Sequence, residues 1–140
     1  FYRRCWEVIH ASDNPEPMTH CFGTTAVASM QKFPFYSCDS TSWLRMATNG
    51  SIILPDNNSY LVSNVSKGKK DHIDSDPLLR EAVKEVVEGY GFNFDLMQQS
   101  EGVFTEATIE RLRFNAFSFI KQAEAYEYMG PDTFVKRGLF

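Results

Sequence analysis

Tyr2, Cys5, Trp6 and Ile9 recur at helical spacing and predict a helix over residues 1–10 with one apolar face. Ser, Asp, Asn and Pro crowd the stretch from Ala11 to Pro17, which reads as a loop. Residues 18–22 read as a short strand ending at Gly23. Thr24 or Thr25 then caps a helix over 26–33, and Pro34 stops it. Residues 35–38 read as the next short strand, ending at Asp39. Strands alternating with a short helix at this tight spacing predict βα units in a parallel sheet.

After Gly50 the pattern changes. Residues 51–54 and 60–63 are apolar enough to form a hairpin around Pro55, Asp56, Asn57 and Asn58, and residues 51–73 read as an irregular hairpin insertion. From Asp74 the spacing turns helical. Asp74, Ser75 and Asp76 place capping groups ahead of Pro77, the start of a helix to about Glu88 that stops at Gly89. A short element follows over 94–99. Thr105 caps a long helix reaching about Tyr128 and ended by Gly130 and Pro131, so that 74–140 forms a helical carboxyl-terminal part. In the long helix Ile109, Leu112, Ala116, Phe119, Ile120 and Ala123 make the predicted buried stripe. No internal repeat or low-complexity region interrupts these elements.

Composition narrows the class. With 43% hydrophobic residues in 140, the chain is not wholly disordered, and one domain or part of one is the expected size. Twelve Phe, six Tyr and two Trp can fill a core or stack on planar ligands. A net charge of -4 does not advertise nucleic-acid binding, so any such site must rely on local basic groups. The three cysteines, Cys5, Cys21 and Cys38, are widely spaced with no CxxC pair, which points to reduced thiols and away from a zinc knuckle. There is no run of eighteen apolar residues and no signal-peptide pattern, so the expectation is a cytoplasmic protein with no membrane partner. The chain opens on Phe1 in mid-pattern, which suggests a piece of a longer protein.

Candidate chemistry concentrates in one segment. Asp39 stands at the end of an apolar strand, before Ser40, Thr41 and Ser42 and after Ser37. Hydroxyls and turn amides there can orient the carboxylate. An oriented, partly dry carboxylate can attack a sugar carbon and form a covalent glycosyl intermediate. The same residue types also suit a turn or a cap for a helix over 41–47. Cys38, beside it, alternates onto the opposite face and reads as a small core residue.

The run from 19 to 52 resembles the tRNA-guanine transglycosylase family. Phe22, Gly23 and Thr24 match its glycine-containing strand end, Asp39 its nucleophile, Arg45 its first arginine, and Asn49 and Gly50 its closing pair. Nine residues separate Asp39 from Asn49, as in the family, and Ala47 also fits. The sequence around His20 to Thr25 and Tyr36 to Trp43 is similar to the phage-encoded branch, linked to placing 7-deazaguanine bases in DNA. The family's second arginine is Thr48 here, Trp43 and Leu44 replace a Pro-Thr pair, and no cysteine follows Cys38 to form the tRNA enzymes' zinc site.

The resemblance implies the carboxyl-terminal portion of a (β/α)8 TIM-like barrel, an α/β fold, followed by two main helices. A whole barrel takes roughly 250 residues, so the upstream strands, with the base-recognising and acid/base groups, would lie outside this chain. As implied partners it brings nucleic acid, DNA favoured over RNA, a 7-deazaguanine base as co-substrate, and the upstream barrel portion or a complementary chain. It implies no cofactor and no metal, and the host cytoplasm if the protein is phage-encoded. A transglycosylase scaffold reduced to nucleic-acid binding or a structural role is the alternative, and an unrelated βα enzyme with a strand-end carboxylate is a third reading.

On this view His20 is a pocket residue touching base or sugar, or else a hydrogen-bonded rim histidine. Gly23 lets a flat base approach the backbone, or is an ordinary turn glycine. Arg45 and Asn49 contact the substrate strand. Lys67, Lys69 and Lys70 around Gly68 form a basic loop, suited to phosphate or simply solvated. His10 and His72 lie in loop-like surroundings without metal-ligand spacing.

Overall fold

The structure, a computed structural model, describes residues 1–14, 17–24, 30, 32–33, 35–99 and 105–125. It is mixed α/β and separates into two compact units, one containing Phe1–Ser40 and the other Thr41–Glu124.

In the first unit, helix α1 (Tyr2–His10) buries Trp6 against Phe33, with Tyr2, Ile9 and Phe35 packed around them. Tyr2 meets Phe35 edge-on at 5.4 Å between ring centroids, a favoured aromatic geometry. The apolar face expected from the spacing of Tyr2, Trp6 and Ile9 is the face that packs. Strands β1 (His20–Cys21) and β2 (Ser37–Cys38) pair in parallel, with His20 opposite Ser37 and Cys21 opposite Cys38. The ladder runs on at both ends: the Ser37 N–H donates to Thr19 O at 3.1 Å and the Asp39 N–H to Cys21 O at 3.2 Å. Both strands are shorter than the runs 18–22 and 35–38. The helix expected over 26–33 lies largely outside the described residues.

In the second unit, α2 (Ser42–Thr48) leads through Gly50 into a hairpin of β3 (Ser51–Ile53) and β4 (Ser59–Leu61). The strands end earlier than the ranges 51–54 and 60–63. Leu54 N–H already closes the turn onto Asn58 O at 2.8 Å, and Asn57 takes the left-handed φ of 71°. Gly50 has φ +84°, and a Cβ there would stand 2.5 Å from the Ser63 Cβ, so only glycine fits. Helix α3 (Pro77–Gly89) starts where the capping pattern placed it: Asp76 Oδ1 accepts from the Leu78 and Leu79 N–H groups, with Pro77 in the first turn. Helix α4 (Phe94–Gln98) and helix α5 (Glu106–Glu124) follow. Ile52, Leu54, Val62, Ile73, Val83, Val87, Phe94, Met97 and Phe114 form the core.

Helix α5 overturns the expected stripe. Its buried face carries Ala107, Arg111, Phe114, Asn115, Ser118 and Gln122, whereas Ile109 and Ile120 are 48% and 57% exposed. The reason is the outer edge of β3, whose backbone groups point away from β4. Asn115 Oδ1 accepts the Ile53 N–H at 2.8 Å, and its Nδ2 donates to Ser51 O at 3.2 Å and Trp43 O at 3.1 Å. Gln122 Nε2 donates to Leu54 O at 3.0 Å. Asn115 thus stands in for a neighbouring strand along that edge, and Gln122 adds a second bond to Leu54 O, which already accepts the Asn57 N–H in the turn. Unpaired backbone groups buried here would be costly, so the helix turns its amides inward in place of its isoleucines. Arg111 works alike, donating to Ala47 O, Met97 O and Gln99 O. Burial lowers the basicity of its guanidinium.

No helix among the described residues is long and apolar enough to cross a membrane.

Candidate functional site

The carboxyl ends of β1 and β2 lie side by side because the strands are parallel and in register. Gly23 follows β1 by two residues and Asp39 follows β2 by one. The Gly23 N–H donates to Asp39 Oδ1 at 2.8 Å. His20 Nε2 stands 3.8 Å from Asp39 Oδ2, and His20 Nδ1 is 2.8 Å from Ser37 Oγ. Three of the expected residues, His20, Gly23 and Asp39, therefore meet at one place.

Asp39 is not a helix cap. Thr41 occupies the N-cap position of α2, and the Asp39 carboxylate is engaged by the other strand's loop. Nor is it partly dry, as expected from the strand end: its side chain is 60% exposed. Two strands alone bring too little structure around the carboxylate to exclude water. Its orientation comes from Gly23 and the His20 side, with Ser37 acting through His20 instead of directly.

Gly23 has φ +69°, and the space where a Cβ would stand is open to 4 Å. The backbone conformation already favours glycine, and the open space admits a flat group. Phe22 packs its ring edge against His20 at 4.3 Å between centroids while remaining 80% exposed. Tyr36, next to Ser37 in the chain, is also exposed. The sequence gives neither aromatic residue a role at the site, although Phe22 belongs to the matched strand end. The period-two alternation that puts Phe22 on the His20 side of its strand was the available signal.

Cys38 lies on the opposite side of β2, its Sγ directed to Met30 Sδ. Burial pushes its thiol pKa up, and the Cys21 thiol and Asp39 carboxylate add to the effect. A thiol kept protonated is a poor nucleophile, which agrees with a core role.

The remaining candidates belong to the second unit. Arg45 is exposed on α2, and Asn49 is the exposed C-cap of that helix. Gly50, matched to the family's closing pair, is required by the hairpin geometry itself. In the basic loop, Lys69 and Lys70 are exposed, but Lys67 is not a free cation: its Nζ lies 3.4 Å from Asp74 Oδ2. Asp74 also receives Arg80 Nε at 3.2 Å and Gln98 Nε2 at 3.3 Å. Burial opposes its ionisation, yet the hydrogen bond from Lys67, the electrostatic effect of His72 and the hydrogen bond from Gln98 outweigh burial and hold its carboxyl below the ordinary range.

Two histidines are placed differently from the loop positions expected. His10 ends helix α1. His72 is buried; its Nδ1 accepts the Asp74 N–H at 3.1 Å, and its Nε2 faces Ser63 O at 3.1 Å.

Comparisons with protein-family models, with curated proteins and with solved structures give no match to this chain.

Proposed function

We propose that this chain carries the nucleophile-bearing, carboxyl-terminal part of a (β/α) barrel in a guanine transglycosylase-like pentosyltransferase. The observation that carries the reading is the Asp39 carboxylate, held through Oδ1 by the Gly23 N–H at the carboxyl ends of adjacent parallel strands. Barrel enzymes keep reacting groups at that end of their strands. The sequence spacing from Asp39 to Arg45, Asn49 and Gly50 adds to it.

In this mechanism Asp39 attacks C1′ of a guanine nucleotide, with DNA favoured over tRNA. A carboxylate oxygen–C1′ bond forms, the glycosidic C–N bond breaks, and guanine leaves with the bonding pair and takes up a proton. A 7-deazaguanine base, losing a proton from its ring nitrogen, then attacks C1′ and releases the carboxylate. Duplex DNA must present the target base flipped out or single-stranded. Contact with the substrate strand is the role the sequence resemblance gives to Arg45 and Asn49.

A nucleic-acid-binding or structural role on a degenerate scaffold is favoured by one observation, the exposure of Asp39 to water. Covalent trapping separates the two. The intact protein, with the upstream barrel strands that this reading requires, gives a denaturant-resistant adduct with a guanine-containing oligonucleotide that Asp39→Asn abolishes. Oligonucleotide binding without any adduct supports the binding role, and an adduct that survives in Asp39→Asn rules out this nucleophile.

A further inference from the structure

We infer that His20, braced by Ser37, is the positioning residue for the Asp39 carboxylate, deepening the transglycosylase reading on which its consequence for turnover rests. The parallel register sets His20 directly opposite Ser37, and Asp39 lies two residues beyond Ser37 on the same strand. Residues two apart on an extended chain face the same side. Ser37, His20 and Asp39 therefore line one face, with Cys21 and Cys38 on the other.

The imidazole bridges this row. Ser37 Oγ is 2.8 Å from Nδ1, and Asp39 Oδ2 lies 3.8 Å from Nε2 at the far side of the ring. A carboxylate oxygen facing a ring nitrogen favours a proton on that nitrogen. The Nε2–H then points at Oδ2, and Nδ1 accepts the Ser37 hydroxyl. Phe22 makes a T-shaped contact with the imidazole, 4.3 Å between ring centroids. The 3.8 Å gap is longer than a hydrogen bond, and catalytic contacts of this kind tighten when substrate binds.

Each carboxylate oxygen thus faces a different group: Oδ1 accepts the Gly23 N–H at 2.8 Å, and Oδ2 looks across 3.8 Å to the imidazole Nε2, the donor in this arrangement. The second donor aims Oδ2 at the sugar carbon and receives the carboxylate when the incoming base displaces it. No proton moves between His20 and Asp39 in either step.

The same row has the order of a hydrolase's serine, histidine and aspartate, with Ser37 as nucleophile. The geometry disfavours that use. An acyl-transfer nucleophile needs backbone N–H groups free to hold an oxyanion. The Ser37 N–H is spent on Thr19 O and the Gly23 N–H on Asp39.

Long-range proton–nitrogen NMR spectra of the full chain with labelled histidine test the arrangement at about pH 8.5, where histidines are neutral. His20, assigned by its disappearance in His20→Gln, is expected as the Nε2–H tautomer, becoming a mixture in Ser37→Ala. An Nδ1–H tautomer, or a spectrum unchanged by Ser37→Ala, overturns the inference. So does labelling of Ser37 by a fluorophosphonate. In the adduct assay, His20→Gln, whose amide can donate to Asp39 and accept from Ser37, keeps the rate within about threefold. His20→Ala slows adduct formation about 10- to 100-fold with KM unchanged, the scale of a misplaced reacting group. A wild-type rate in His20→Ala overturns the positioning role. If no adduct forms even with His20 and Asp39 intact, the transglycosylase reading fails, while the tautomer still reports on the arrangement.

Discussion

Asn115 gives a direct test of which face of α5 holds the second unit together. Asn115→Leu keeps the number and branching of side-chain heavy atoms but removes the acceptor for the Ile53 N–H and the donor to Ser51 O, both in buried contacts. The third partner, Trp43 O, sits in a partly buried contact that water can reach. Leaving two buried backbone groups unsatisfied costs about 2 kcal/mol each. The apolar surface of the new leucine returns ~2 kcal/mol. The net loss is about 2 kcal/mol, roughly a 30-fold change in an equilibrium constant. Amide hydrogen exchange followed by NMR reads it residue by residue: Ile52, Val62 and Val87, all core positions of that unit, should exchange roughly 30-fold faster. The control is Ile109→Ser on the same helix. Since Ile109 is 48% exposed, that change should stay within about 0.5 kcal/mol. The opposite ranking, with Ile109→Ser opening the core and Asn115→Leu leaving it closed, would refute the buried polar face and restore the apolar stripe.

Two further outcomes follow from the second unit. Gly50→Ala combines a left-handed φ of +84° with a Cβ 2.5 Å from the Ser63 Cβ. Strain and overpacking together should cost about 2–5 kcal/mol; a urea midpoint equal to wild type would show that the hairpin does not require this turn. Asp74 has its folded-state carboxyl pKa lowered from 3.8, so its contribution is present above that value and is lost as pH falls through the lowered one. Thermal melts from pH 5 down to pH 2 should therefore show a steeper loss for wild type than for Asp74→Asn, and parallel curves would remove Asp74 from the acid transition.

Local signals were enough where the controlling interaction is itself local. Asp76 and Pro77 start α3 because a side-chain acceptor and a fixed φ act within one turn. Tyr2, Trp6 and Ile9 declare the packed face of α1, since an aromatic stripe with no competing backbone edge simply packs. The strand-end position of Asp39, and the face on which Cys38 sits, follow from alternation over a few residues.

What surrounds Asp39 was not legible in this way. Its partners Gly23 and His20 lie 16 and 19 residues away, brought close by the parallel pairing of two very short strands. Lys67 reads as a free loop cation until Asp74 folds back to pair with it. The long helix is the clearest case. The sequence by itself determined that α5 is a helix and that Thr105 caps it, through spacing and a hydroxyl that accepts the Thr108 N–H. Which side of it turns inward was decided only in the tertiary structure. An open strand edge demands hydrogen bonds, and Asn115 can make them where isoleucine cannot.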